Sequence, residues 1–171
     1  GHILMHSRAN VTAFVGGIVE NYGSNLIGHG TEITVVEADE FDRSFLHRHP
    51  NIACVTSTDA DHLDIYGDSA SIEASFAEFA DKISDKSKLF VAEGLNIIGT
   101  TVGIESTADY HAVNIRIEDS KYIFDMVTPN GVLPNLKFGL PGRHNLTNAI
   151  MASAMARTFG TTDEDIAAGL E

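Results

Sequence analysis

An α/β fold, with a mostly parallel sheet flanked by helices and a small antiparallel β subsheet, follows from three observations. Short apolar runs of the kind that buried parallel strands need recur at residues 33–38, 52–56 and 88–92. Between the last two lies an amphipathic segment, 69–83, in which Ile72, Phe76, Phe79 and Ile83 recur at helical spacing. Strand, crossover helix and parallel strand make a βαβ unit, which places helices against the sheet. After Gly94 the texture changes to Val, Ile, Thr and aromatic alternation without long helices, which predicts the antiparallel part.

Taken in order, residues 1–6 read as the tail of an amphipathic helix with no N-cap before it. Residues 11–15 form a β-rich run ended by Gly16-Gly17, and Tyr22-Gly23-Ser24-Asn25 is turn chemistry. Strands are expected at 33–38, 52–56 and 88–92, and further β segments at 96–101, 110–117 and 121–127. Glu118-Asp119-Ser120 joins the last two as a hairpin, and Pro129-Asn130-Gly131 is another turn. Residues 145–159 are helical, with Leu146, Ala149, Ile150, Ala152, Ala154 and Met155 on the apolar side and Gly160 as the stop. A short helix, 163–170, follows a Thr-Thr-Asp start suited to an N-cap.

The 171 residues carry 24 acidic against 11 basic side chains, a formal charge of −13. Such a surface repels phosphate backbones and anionic headgroups, so neither a nucleic acid nor a membrane is an expected partner. A phosphorylated ligand must then be held by backbone N–H groups, a metal ion or a local basic patch. The length suits one ordinary domain, which buries roughly 70% of the surface its unfolded chain exposes. Cys54 alone forms no internal disulfide, which fits a reducing cytoplasm. No apolar run approaches the roughly 20 residues of a membrane span.

Two acidic clusters lie at strand ends: Glu37-Ala38-Asp39-Glu40-Phe41-Asp42 and Ser57-Thr58-Asp59-Ala60-Asp61-His62-Leu63-Asp64. In open α/β sheets ligands sit beyond the carboxyl ends of strands. Crowded carboxylates are costly without a cation, and Mg²⁺ takes one or two of them together with substrate phosphates. The clusters therefore read as a metal-assisted phosphoryl site, or else as helix caps and solvated turns, with Glu40 and Asp42 the better caps. Thr58 and Ala60 stand where a dinuclear-zinc hydrolase motif would need His. The second constellation is Pro141-Gly142-Arg143-His144-Asn145-Leu146-Thr147-Asn148, opening the long helix. Its Asn residues either cap the helix or recognise a base edge, and His144 is placed to stack on a ring. No Gly-x-x-x-x-Gly-Lys-Ser/Thr loop and no Gly-x-Ser-x-Gly elbow occur, and Cys54 inside a buried strand is inert.

Residues 36–46, 58–66 and 142–149, together with the run from Phe14 to Ile18, resemble the Mur ligase family over nearly the whole chain. The resemblance implies a P-loop NTPase-like central, ATP-binding domain over residues 1–171, beginning after the phosphate loop, with the N-terminal UDP-binding and C-terminal domains outside it. It implies ATP-dependent amide formation: the carboxylate of UDP-N-acetylmuramate is phosphorylated, and the amine of L-alanine displaces phosphate from the acyl phosphate. By motif position Glu37 and His62 are the expected catalytic and Mg²⁺-binding residues, and His144, Asn145 and Asn148 hold the adenine and ribose of ATP. No Lys lies between His62 and Lys82, as in the alanine-adding branch; the peptide-recycling branch, a non-catalytic scaffold and a metal-dependent phosphohydrolase are the other readings. Without a phosphate-loop Lys, the 171 residues alone are expected to bind ATP weakly and to lack ligase activity.

Overall fold

A computed structural model describes residues 1–39, 43–59 and 69–171. Two sheets share one core. In the smaller, β1 (Val11–Val19) pairs antiparallel with β2 (Ser24–Gly28) and parallel with β3 (Ile33–Val36). In the larger, β4 (Ala53–Val55), β5 (Leu89–Ala92), β6 (Thr100–Ile104) and β7 (Tyr110–Glu118) run parallel in that order. Strands β8 (Lys121–Thr128) and β9 (Gly131–Phe138) then add antiparallel. The expected α/β class with an antiparallel portion is what forms.

Helices cover both faces of the parallel part. Helix α1 (His2–His6) leads into β1, and α2 (Ser69–Asp81) links β4 to β5 as the expected crossover. Helix α3 (Arg143–Arg157) buries Leu146, Ile150 and Ala154 completely, a four-residue spacing that keeps one helix face on the sheet. Successive residues of β5 point to opposite faces: Phe90 joins the α3 side, while Leu89 and Val91 join Phe45, Phe79 and Ile83 on the α2 side. Helix α4 (Asp163–Leu170) is capped by Thr162, whose hydroxyl accepts from the Asp165 N–H at 3.2 Å.

Several boundaries differ from expectation for physical reasons. Gly16-Gly17 does not end β1; the strand continues to Val19 through a register irregularity, where glycines are common. The expected β segment at 96–101 lies instead at Thr100–Ile104. Sequence patterns favour helical crossovers, but residues 93–99 and 105–109 connect parallel neighbours as short loops. The second is held by the Asp109 carboxylate, which accepts from the Thr101 N–H and hydroxyl at 2.8 Å each. Strand β9 has no counterpart among the expected β segments beyond the turn that precedes it, because Pro134 is a weak strand signal that an edge strand tolerates.

The β7–β8 hairpin closes with Glu118 opposite Lys121 and positive φ at both Asp119 and Ser120, as a two-residue primed turn requires. Asn114 and Asn135, both with φ of 54°, sit at the irregular stretches flanking β8. Asp125 ties them together: its carboxylate accepts from Asn114 Nδ2 and from the Asn135 N–H, each at 2.8 Å.

Candidate functional site

Strands β4, β5 and β6 finish at one edge, where ligands of open parallel sheets bind. The first turn of α3 lies over that edge. Its entry is set by Gly142, whose φ of 98° and ψ of 135° L side chains rarely adopt. A Cβ on Gly142 would lie 2.8 Å from His144 Cε1, so the glycine also leaves room for the His144 ring. Asn145 stabilises the same turn, its side-chain amide donating to the Pro141 carbonyl at 2.7 Å. The first N–H groups of a helix have no partner inside it, so this end of α3 is electropositive.

A cavity of about 280 Å³ opens between these parts, lined by Thr56, Glu93, Gly103, His144, Thr147 and Asn148 among others. His144 and Asn148 therefore share one cavity, one turn of helix apart. Asn145 is not on its wall, and its hydrogen bond to Pro141 commits it to shaping the loop. Arg143 points to Glu105, with Nη2 and Oε2 3.1 Å apart. The Thr147 hydroxyl donates back to the Arg143 carbonyl at 3.2 Å.

Glu93 was not among the expected residues. It directly follows β5, and the strand-end rule that drew attention to Glu37 would also have found it. Its N–H donates to the Val102 carbonyl at 2.8 Å, which fixes its backbone at the cavity edge. Its carboxylate lies over Gly103, where an added Cβ would come within 2.6 Å of Oε2.

Glu37 stands at the end of β3, in the smaller sheet, and does not line this cavity. Its Oε2 accepts from the Gly16 N–H at 2.7 Å, and its own N–H donates to the Phe14 carbonyl at 3.1 Å. Gly16 fits beneath the carboxylate, since a Cβ there would sit 3.1 Å from Oε1. Asp59 accepts from the Ser57 hydroxyl at 2.7 Å, while its N–H donates back to Ser57 Oγ at 2.9 Å, a local turn. His62, Asp61 and Asp64, like Glu40 and Asp42, lie outside the described residues. Among the described residues no three His, Cys, Asp or Glu side chains gather as a metal set. Cys54 lies in β4, where burial pushes its thiol pKa up, away from the reactive thiolate.

Residues 21–156 match the Mur ligase middle domain. The chain belongs to that family. This Mur ligase middle domain is 68% identical over 170 residues to the UDP-N-acetylmuramate–L-alanine ligase of Flavobacterium psychrophilum, covering 99% of the chain and 38% of the relative. It is 64% identical to the enzyme of the same name from Flavobacterium johnsoniae, covering 98% and 37%. The chain thus spans under two fifths of the length of these curated relatives. In fold it is similar to a UDP-N-acetylmuramate–alanine ligase from Thermotoga maritima, with a TM-score of 0.83 at 24% identity, covering 99% of this chain and 40% of that one. It is likewise similar to a UDP-N-acetylmuramate:L-alanyl-γ-D-glutamyl-meso-diaminopimelate ligase from Neisseria meningitides, with a TM-score of 0.81 at 20% identity, covering 99% and 59%.

Proposed function

We propose that residues 1–171 form the central, ATP-binding portion of a cytoplasmic ligase of peptidoglycan precursor synthesis, which joins L-alanine to UDP-N-acetylmuramate through an acyl phosphate. The observation that carries this reading is the cavity under α3, which gathers His144 and Asn148 at the carboxyl ends of parallel strands. The names of the relatives at 68% and 64% identity favour alanine as the amine; the tripeptide-ligase neighbour, at 20%, speaks for the fold alone.

In this reading the base of ATP enters the cavity, the His144 ring lies against its face, and Asn148 meets its polar edge. Asn145 acts one step back, holding the Pro141–Gly142 turn that aims His144. Glu37 would hold Mg²⁺ together with His62. The donor chemistry at Glu37 fits: Gly16 engages Oε2, and the exposed carboxylate keeps lone pairs for a hard cation that takes few protein carboxylates. The ion, when bound, neutralises charge on the transferring phosphoryl group. The chain's own part is to fix the nucleotide so that its terminal phosphate meets the muramyl carboxylate in one orientation.

The test is a segment exchange. Residues 1–171 replace the matched segment of the Flavobacterium psychrophilum relative, and phosphate release is followed with ATP, UDP-N-acetylmuramate and L-alanine. The reading predicts release that needs all three substrates in the chimera, and none from the 171 residues alone. A folded chimera that binds ATP but forms no amide would contradict it.

A further inference from the structure

Resting on the reading of the α3 cavity as the nucleotide seat, we propose that Glu93 accepts a hydrogen bond from the exocyclic amine of adenine and so selects the base. Three features lead there. First, Glu93 is placed by structure on both sides. Its N–H is bound to the Val102 carbonyl at 2.8 Å, and the absence of a side chain at Gly103 makes the space its carboxylate occupies. Second, among the described residues it is the one carboxylate on the wall of a cavity whose other wall is supplied by His144 and Asn148 of α3. Third, that carboxylate has no partner among the described residues, nor do the side chains of His144 and Asn148. The cation nearest in sequence to this end of α3, Arg143, is engaged by Glu105 at 3.1 Å.

An ionised carboxylate only accepts hydrogen bonds, so the ligand group that suits it must donate. Adenine offers its six-position amine to such a group. Purine, which lacks the amine, offers nothing there. A charge-assisted hydrogen bond of this kind is among the stronger ones, and even at a partly solvated edge it separates two otherwise equal ligands severalfold. Stacking on His144 carries no such discrimination, because every base presents a π face. Selection is thus assigned to Glu93 and general affinity to α3.

The experiment is an amide chemical-shift titration of the 171-residue chain with adenosine and with purine riboside. The expected result is shifts at Gly103, His144 and Asn148 with both, and a dissociation constant about fivefold lower for adenosine. Glu93→Met, similar in length but without the acceptor, brings the two constants together. Glu93→Gln, which keeps an acceptor oxygen, retains part of the preference. Gly103→Ala puts a methyl where the carboxylate lies and lowers the preference with Glu93 still present. A wild-type ratio near one, or a ratio unmoved by Glu93→Met, overturns the assignment while leaving the nucleotide seat intact. No shift at His144 or Asn148 with either nucleoside overturns the seat itself, and the assignment with it.

Discussion

Gly142→Ala tests the turn that aims α3 at the cavity. At φ 98° and ψ 135° the backbone occupies a region that glycine enters freely and other residues enter at a cost of about 1–3 kcal/mol. The added methyl also meets the His144 ring, at 2.8 Å from Cε1 and 3.0 Å from Nδ1, both well inside contact distance. The ring is exposed and can turn away, so this clash adds little to the cost but removes the ring from its place. For a domain of this size each kcal/mol lowers Tm by roughly 2–4 °C, so the expected drop is about 2–12 °C. Thermal unfolding followed by circular dichroism measures it. The matching control is His144→Ala, which deletes an exposed ring and leaves stability within about 0.5 kcal/mol. It weakens nucleoside binding by the loss of a stacking partner, about 1–3 kcal/mol. Both variants therefore lose binding, and only Gly142→Ala loses stability. Unchanged Tm together with unchanged adenosine binding in Gly142→Ala would refute the turn geometry.

Three further outcomes follow from the packing and the charges. Phe45, 2% exposed between Phe76 and Phe79, anchors the α2 side of the core, so Phe45→Ala costs about 3–5 kcal/mol in denaturant unfolding; a loss below 1 kcal/mol would place it outside the core. The Asn114 amide, and after it the Asn135 N–H, hold the Asp125 pKa below its ordinary value. A depressed carboxyl contributes stability above its unfolded pKa, near 3.9, and loses that contribution as pH falls through the folded one. The Tm difference between wild type and Asp125→Asn should therefore shrink from pH 6 to pH 3, and a difference independent of pH would contradict this. Burial raises the Cys54 pKa, so a disulfide reagent at pH 8 should label the native chain far more slowly than the unfolded one; equal rates would show an open β4.

Much of this fold is legible because its signals are local. The spacing of Ile72, Phe76, Phe79 and Ile83 is that of one helix face, and β4 and β5 flank it as continuous apolar runs. The Thr162 cap and the Asp119-Ser120 turn need only neighbours in sequence. What is not legible depends on partners far along the chain. Thr100–Ile104 becomes a strand because Asp109 folds back on Thr101, and β9 exists because β8 offers an edge. The site divides in the same way. His144 and Asn148 stand out as a motif at a helix start. Glu93 carries no motif, and its place depends on Gly103, on the neighbouring strand. Asn145 shares the motif, yet its amide serves the turn, a distinction only three-dimensional contact makes.

Nucleotide binding by this domain turns on where the base sits. A second cavity, of about 260 Å³, lies at the opposite ends of the same strands, lined by Lys86, Thr100 and Pro129 among others. Its polar groups are already engaged, with Lys86 Nζ donating to the Ala80 carbonyl at 2.8 Å and Asp109 accepting from Thr101. Intermolecular nuclear Overhauser effects from the adenine ring protons of bound AMP distinguish the two directly. A base seated under α3 gives contacts to the His144 ring and to Gly103; contacts to Thr100 and Pro129 instead would place it in the second cavity and overturn the assignment of the nucleotide seat.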